Sequence, residues 1–326
     1  MMSPFTKFAC AALFALMFAT TGNLAQNKPE PAKSPRPGRK AAATPEPAAT
    51  PTPRADSSIE SAISSLRFRE IGPATMGGRI NDIEVDPSDS RIIYAATAAS
   101  GIAKSVNGGT SWTMIFDKEA VNSIGDIAIT PTSPSIIWAG TGESNNRQSS
   151  SWGNGIYKSL DGGKTWKNMG LEKSMAIGRV VVHPTDPNVV YVAATGNLWA
   201  ASPERGVYKT TDGGKTWQQV LKVNDDTGAT EIAIDPVSPN ILYAAMYQRR
   251  RTVFGFNGSG ESSALYKSND GGDTWTKITK GMPYDTENAP TPRPENLLET
   301  GRIAIAIYAK DPDIVYVSVE HANGGI

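Results

Sequence analysis

Four copies of one short pattern recur along this chain, and each copy ends in a tryptophan. The four final residues are Trp112, Trp166, Trp217 and Trp275, which lie 54, 51 and 58 residues apart. Internal repeats of about this period are typical of propellers and solenoids, in which one small supersecondary unit is repeated along the chain. The repeat therefore predicts an array of similar units packed side by side.

The repeated pattern is that of an Asp-box, Ser/Thr-x-Asp-x-Gly-x-Thr-Trp. Its aspartate can accept hydrogen bonds from backbone N–H groups of its own turn, and its tryptophan can bury a large apolar surface within the blade. The first copy has Asn107 and Ser111 where the others have Asp and Thr, so we expect that turn to be weaker. We interpret these residues as structural, with no metal or cofactor bound: Asn107, Trp112, Asp161, Trp166, Asp212, Trp217, Asp270 and Trp275.

Each box belongs to a longer unit of four predicted strands. In the second unit, an apolar strand ends near Pro131, a β-branched and aromatic strand covers 136–138, a third covers 155–158 and a fourth follows Trp166. Short strands with regular turns and no helical period predict an all-β fold, a β-propeller with four-stranded blades. The sequence contains four complete blades and the start of a fifth at 301–319.

An incomplete ring would leave open strand edges, which proteins avoid. We therefore interpret the chain as the N-terminal part of a larger propeller, with the remaining blades in a longer polypeptide. The alternative is a naturally short chain. Residues 66–71 have the pattern of an outer strand that closes the ring against the last blade.

The N-terminal segment has the features of a secretory signal peptide over residues 1–25. Lys7 precedes a short apolar run from Phe8 to Phe18, and small residues follow it. The run is too short to span a bilayer as a helix. Cys10 is the only cysteine, so cleavage would leave a mature chain without thiols, disulfides or cysteine-based metal sites. These features predict an exported protein, periplasmic or extracellular, with no membrane span.

Residues 26–60 are predicted to be a disordered linker before the propeller at 61–326. Eight of the 25 residues from Pro29 to Pro53 are proline, and none is aromatic. Such a segment cannot bury enough apolar surface to offset its ordering entropy. Its basic residues either contact polyanions of the cell wall or are simply solvated.

Charge and motifs exclude several functions. The 32 basic residues balance 32 acidic ones, which argues against a nucleic-acid partner. His183 and His321 are the only histidines and have no metal-binding spacing. No Ser-His-Asp, Walker or Rossmann pattern is present.

Three further segments carry a family resemblance: 71–79, 140–147 and 225–230. Together with the boxes, they resemble the propeller ectodomains of sortilin and vacuolar sorting receptors, and most closely exported bacterial proteins of the sortilin N-terminal type. This resemblance implies a larger propeller, which has ten blades in sortilin, and a peptide, protein or carbohydrate ligand.

Sialidases and xyloglucanases share the Asp-box, but their catalytic residues are hard to place here. The segment 68–73 only loosely matches a sialidase Arg-Ile-Pro motif. The loop 97–103, where a xyloglucanase carries a catalytic Asp, contains no carboxylate. Glycoside hydrolysis normally needs two facing carboxylates. We therefore predict a non-catalytic binding propeller. The alternatives are a glycoside hydrolase whose acids lie partly in further blades, and an assembly factor of the photosystem-assembly type.

Aromatic and basic residues on long loops indicate where a ligand would bind. Three long loops, 143–152, 196–205 and 247–263, are predicted on the face opposite the Asp-boxes. The first strands also begin with a charge at a repeated position (Arg79, Asp126, Arg179, Glu231, Arg302), interpreted either as ion pairs between blades or as a recognition rim. The predicted ligand-binding residues are Arg79, Glu143, Arg147, Trp152, Arg179, Trp199, Arg249 and Arg302.

Overall fold

The computed structural model describes residues 78–283 and 300–321. The predicted signal peptide, the linker and the closing strand at 66–71 lie outside the described residues. Within them the fold is all-β, with one 3-10 turn at Glu172–Ser174. The four-stranded antiparallel sheets confirm the predicted propeller fold.

Each of the first four blades is one antiparallel sheet whose strands follow chain order, and blade 4 carries an extra hairpin, β15–β16, on a long loop. The strands are β1 (Ile80–Val85), β2 (Ile93–Thr97), β3 (Gly101–Ser105) and β4 (Thr113–Met114) in blade 1; β5 (Ile124–Ile129), β6 (Ile137–Thr141), β7 (Ile156–Ser159) and β8 (Lys167–Asn168) in blade 2; β9 (Ile177–Val182), β10 (Val190–Ala194), β11 (Gly206–Thr210) and β12 (Gln218–Leu221) in blade 3; β13 (Thr227–Ile234), β14 (Leu242–Gln248), β15 (Arg250–Arg251), β16 (Phe256–Asn257), β17 (Ala264–Ser268) and β18 (Thr276–Lys277) in blade 4; and β19 (Thr300–Ile307) and β20 (Val315–His321) in the start of blade 5.

The first strands of successive blades contact one another, which places them on the inner side of the array. In blades 1 and 2, the first strand has a register shift between its first residue and an aspartate two positions later, Asp82 or Asp126. Such bulges redirect one side chain and increase the local twist. The bulges therefore lie beside residues that contact the next blade.

The apolar core consists of layers between blades rather than of one centre. Between blades 1 and 2, the buried side chains of Tyr94, Ile102 and Phe116 pack against Ile127 and Ile137. Corresponding layers form between blades 2 and 3, 3 and 4, and 4 and 5. Blades 2 to 4 are therefore stabilised mainly by their two neighbours, as in other repeat proteins.

The Asp-box turns have the predicted hydrogen bonds. Asp161 accepts bonds from the backbone N–H groups of Lys164 and Thr165, both at 2.9 Å, and from the hydroxyls of Ser159 and Thr165 at 2.8 and 2.7 Å. These bonds lower the pKa of the Asp161 carboxyl. In the first box, the Asn107 side chain makes one bond fewer. The smaller number of hydrogen bonds is consistent with the prediction that this turn is weaker.

The box tryptophans of blades 2 to 4 are half-buried and lie between blades, whereas the sequence suggested that they bury their surface within their own blade; Trp112 of blade 1 is exposed. The Trp166 indole N–H of blade 2 donates to the Ile115 carbonyl of blade 1 at 2.9 Å, and its ring packs edge-on against Phe116. Trp217 of blade 3 likewise donates to the Met169 carbonyl of blade 2 at 2.8 Å. Both indoles therefore hold adjacent blades together.

The charges at the inner strands form ion pairs between blades. The Arg179 guanidinium of blade 3 lies 3.3 Å from the Asp126 carboxylate of blade 2 and 3.1 Å from the Glu231 carboxylate of blade 4. Asp126 also accepts a 2.7 Å bond from the Val180 backbone N–H. Of the two interpretations of these charges, the geometry here favours blade-to-blade ion pairs.

Candidate ligand-binding cleft

Three long loops meet at the edge of the sheets opposite the Asp-boxes. They connect the second to the third strand in blades 2, 3 and 4 and span 142–155, 195–205 and 249–263. Because the boxes follow the third strand and these loops precede it, the two sets occupy opposite ends of each blade. Arg249, described below, joins the loops of blades 2 and 4.

A small, open cleft lies between the loops of blades 2 and 3, with Arg249 of blade 4 in its wall. Trp152 and Trp199 line it and are unusually exposed for their size, at 69% and 46%. Exposed aromatic side chains beside a concave polar surface are typical of ligand sites. We call this surface the tryptophan cleft; its lining consists of Glu143, Ser150, Ser151, Trp152, Met175, Ala176, Gly196, Asn197, Leu198, Trp199 and Arg249.

Glu143 is fixed in the cleft wall by Arg79. The Nε and Nη2 atoms of Arg79 donate to the two Glu143 carboxylate oxygens, both at 2.7 Å. The Glu143 side chain is almost fully buried, whereas that of Arg79 is 29% exposed. This fork-shaped pair fixes the carboxylate in one orientation and explains how the start of blade 1 contributes to a cleft that it does not line.

Arg249 is the most unusual residue of the cleft, because its guanidinium is buried and only partly paired. Its Nη1 donates to the Ser144 carbonyl at 2.6 Å and to the Asn146 side-chain oxygen at 3.0 Å. Its Nε and Nη2 have no hydrogen-bond partner among the described residues. Burial, with a smaller effect of the nearby Arg205, lowers the pKa of Arg249 to about 9. The group thus stays charged at neutral pH, with two donors unpaired.

Arg205 is a second buried arginine, and it shapes the loop that carries Trp199. Its Nη1 donates to the Asp226 carbonyl at 3.1 Å, and its Nη2 donates to the Asn197 and Ala200 carbonyls on either side of Trp199. The Trp199 backbone N–H in turn donates to the Asn197 side chain at 2.9 Å. Arg205 therefore holds the indole platform in place without lining the cleft.

The structure brings together four of the predicted ligand-binding residues and separates the others. Glu143, Trp152, Trp199 and Arg249 line the tryptophan cleft. Arg147 is exposed on the same loop but outside the lining. Arg79 acts through Glu143, Arg302 donates to the Asn145 side chain at 3.3 Å, and Arg179 lies in the inner ion pairs.

Sequence reasoning missed Met175, Asn197 and Arg205. Met175 follows the 3-10 turn in a positive-φ conformation (φ 62°) that is uncommon for a residue with a side chain. No spacing or motif marks it. Arg205 carried a usable signal, since it stands immediately before the third strand at the end of a long loop.

Within the described ranges, no group of three or more His, Cys, Asp or Glu residues is placed to hold a metal ion. Over the same residues, no helix is long and apolar enough to cross a membrane.

Residues 154–290 match the family described as sortilin, neurotensin receptor 3. This segment covers less than half of the chain and includes the cleft loops of blades 3 and 4. The match supports a propeller of the sortilin-like kind.

Among characterised proteins, xyloglucanases are similar over a longer stretch. The chain is 24% identical over 241 residues to a probable oligoxyloglucan-reducing end-specific xyloglucanase of Neosartorya fischeri, covering 69% of this chain and 26% of that protein. It is also 24% identical over 245 residues to xyloglucanase Xgh74A of Acetivibrio thermocellus, covering 64% and 27%. The chain thus spans only about a quarter of the length of these relatives.

The crystal structure of an ancestral GH74 enzyme superimposes with a TM-score of 0.55 at 21% identity, covering 75% of this chain and 29% of that one. The chain is also 27% identical over 146 residues to the photosystem II assembly lipoprotein Ycf48 of Picosynechococcus, covering 37% of this chain and 42% of that protein. At 21% identity, the likeness to the GH74 enzyme structure shows the propeller fold alone.

Proposed function

We propose that this chain is part of an exported, non-catalytic binding propeller that holds a peptide or carbohydrate in the tryptophan cleft. The observation that carries the proposal is Arg249, a buried cation with two unpaired donors beside two exposed indoles. Unpaired buried donors are costly, and an oxygen-bearing ligand can supply the missing acceptors. Trp152 and Trp199 offer faces on which a sugar ring or an apolar side chain can stack.

Similarity supports both ligand classes and does not separate them. The xyloglucanases act on a polysaccharide, as their names state, whereas the matching sortilin family is described as a neurotensin receptor. The proposal therefore includes both, and the experiment must screen both.

The test is to screen the full chain on carbohydrate and peptide arrays. We expect binding that disappears when Arg147, Trp152, Trp199 and Arg249 are changed together. A variant with Lys164→Ala and Lys215→Ala, two exposed residues on the Asp-box edge, is the matched control and should bind normally. Binding that survives the fourfold change would place the ligand elsewhere.

Export is a proposal that rests on the signal-peptide pattern of residues 1–25. Secretion of the chain with a mature N-terminus near residue 26, read by mass spectrometry, would support it. Retention of Met1 in the protein recovered from cells would oppose it.

Glycoside hydrolysis is a second candidate, favoured by carboxyl groups on β1. Burial, together with the neighbouring Asp82, raises the pKa of Glu84 to about 7. A carboxyl poised near neutral pH is suited to general acid catalysis. Release of reducing ends from xyloglucan or sialosides, lost in Glu84→Gln but retained in Glu119→Gln in the half-buried turn before β5, would favour the hydrolase over the binding function.

A further inference from the structure

The connection between blades 2 and 3 has an uncommon backbone conformation at both ends of its 3-10 turn. Among the described residues, only Leu171 and Met175 combine a side chain with a positive φ, at 60° and 62°. They lie on either side of the turn at Glu172–Ser174. Residues with a Cβ rarely adopt such angles. One short segment therefore contains both of the exceptions in the described part of the chain.

Met175 is the more strained of the two, because it is the central residue of a γ-turn. Its φ of 62° and ψ of −40° accompany a 2.7 Å hydrogen bond from the Ala176 N–H to the Ser174 carbonyl. The positive-φ form of the γ-turn is rare and strained, whereas Leu171, with a ψ of 31°, lies in the ordinary left-handed region. Strained backbone persists only where the surrounding structure fixes it, and it is concentrated at functional sites.

The Met175 carbonyl is bonded to the loop of blade 2 that carries Trp152. It accepts a 2.7 Å hydrogen bond from the N–H of Gly153, the residue after Trp152. Gly142 allows the two segments to approach each other, since a Cβ at that position would overlap the Met175 carbonyl oxygen. The γ-turn and the Trp152 loop are therefore both packed and bonded together.

The next residue is bonded to the loop of blade 3 that carries Trp199. The Ala176 carbonyl accepts from the N–H groups of Thr195 and Gly196 at 2.9 and 3.3 Å, at the start of that loop. The consecutive carbonyls of Met175 and Ala176 thus join the loops of both tryptophans to one turn. Peptide units are planar and have fixed bond lengths, so the dihedral angles of this turn set how far apart the two loops lie.

The strained conformation is not needed to join neighbouring blades. Asn122 has the position before β5 that Met175 has before β9, two residues ahead of the strand. Its carbonyl accepts the corresponding bond, from the Gly101 N–H at 2.7 Å, although its φ is not positive. Asn122 is exposed beside a short loop of blade 1, whereas Met175 lines the tryptophan cleft. The strain therefore accompanies the cleft rather than the joint between blades.

We propose that Met175 is a specificity-determining residue of the tryptophan cleft. Its strained turn presents the thioether side chain to the ligand and sets the spacing between the loops of Trp152 and Trp199. This inference rests on the proposed binding function. A thioether is flexible and polarizable and makes favourable contacts with apolar and aromatic groups, so the part of the ligand that lies on Met175 is apolar.

The first test compares glycine with alanine at residue 175. Both remove the side chain beyond Cβ, but only glycine adopts a positive φ without strain. We expect Met175→Gly to melt about 2 °C above Met175→Ala. The opposite order is expected for Asn122→Gly and Asn122→Ala, because an ordinary backbone favours alanine. The same order at both positions would show that the turn carries no strain and would overturn the proposal.

The second test reads binding of the full chain on carbohydrate and peptide arrays. Met175→Ala should weaken binding of the array member that wild type binds best by about tenfold and should change the ranking of the members. Met175→Leu, which keeps an apolar side chain, should retain most of the affinity. Leu171→Gly is the matched control, since it relaxes the other end of the same turn outside the cleft lining, and it should bind like wild type.

The outcomes separate this inference from the binding function. If Met175→Ala leaves both affinity and ranking unchanged, the proposal is wrong while the binding function stands. If Leu171→Gly loses binding as Met175→Ala does, the effect belongs to the fold of the turn and the proposal is again wrong. A wild type that binds no array member would remove the binding function itself and this inference with it.

Discussion

Arg249 donates a hydrogen bond to the carbonyl oxygen of Ser144, 2.6 Å away, although 105 residues separate the two in the chain. The bond joins the long loop of blade 4 to that of blade 2 and passes beside the loop of blade 3. It shows why a site formed by three blades is not visible as a sequence motif. Each loop contributes residues that have meaning only next to the others.

The two buried arginines should respond differently to replacement by methionine. Arg205→Met leaves the carbonyls of Asn197 and Ala200 without their donor and removes one of the two donors to the Asp226 carbonyl, and we expect a loss of about 2 kcal/mol in unfolding free energy. Arg249→Met also removes two unpaired buried donors, which offsets the bonds it breaks. Its stability should therefore change by less than about 1 kcal/mol, while ligand binding is lost.

Urea unfolding of both variants measures this contrast. If Arg249→Met proves the more destabilising of the two, Arg249 serves mainly to hold the loops together.

The box tryptophans should contribute to stability according to their contacts with the preceding blade. Trp217→Ala removes an edge-on contact with Trp138 and a hydrogen bond to Met169, and we expect a cost of about 3 kcal/mol. Trp112, in blade 1, is 45% exposed. Trp112→Ala should therefore cost much less. Thermal unfolding of the two variants distinguishes a joint between blades from a role within the blade, for which the two costs would be equal.

The Asp-box carboxylates make stability depend on acid pH. Hydrogen bonds from Thr216 and Thr210 lower the pKa of Asp212 below its ordinary value of 3.8. A depressed pKa in the folded state contributes stability that is present above the unfolded value and is lost as pH falls through the folded one. Stability should thus decline below about pH 4.

The matched variant is Asp212→Asn, which copies the first box. Its melting temperature should be lower than wild type at pH 7 and should approach wild type at pH 3. A constant difference between the two proteins across that range would contradict the role assigned to the carboxylate.

The linker prediction concerns residues outside the described ranges. A chain that begins near Ile59 should have the same melting temperature as one that begins at residue 26, because the Pro-rich segment lacks the apolar surface needed to pack. A drop of several degrees on trimming would mean that the segment packs on the blades.

The sequence was sufficient to predict the blades because strand pattern and box chemistry are local. Trp166 and Asp161 are eight residues or fewer from the other residues of their turn, and their spacing repeats. The role of Trp166 between blades was not predictable in the same way. Its partner Ile115 lies 51 residues earlier, and nothing in the repeat states which neighbour an indole faces.

The candidate site was only half visible for a related reason. Trp152, Trp199 and Arg249 were identified because large or charged residues on long loops are conspicuous. Met175 belongs to the connection before β9, and it reaches the cleft through the packing of blade 3 beside blade 2. Arg179 was grouped with the ligand residues, although its ion pairs to Asp126 and Glu231 are consistent with a structural role.

The most direct test of the binding function is an equilibrium titration with a ligand identified on the arrays. Tryptophan fluorescence emission is the signal that reports binding. The double replacement Trp152→Phe and Trp199→Phe should remove the ligand-dependent change in emission. Arg249→Lys should weaken affinity at least about tenfold, since a lysine cannot reproduce the forked donors. Trp112→Phe should leave both signal and affinity unchanged. Equal affinity in wild type and Arg249→Lys, with the signal retained after both cleft tryptophans are replaced, would contradict the proposed site.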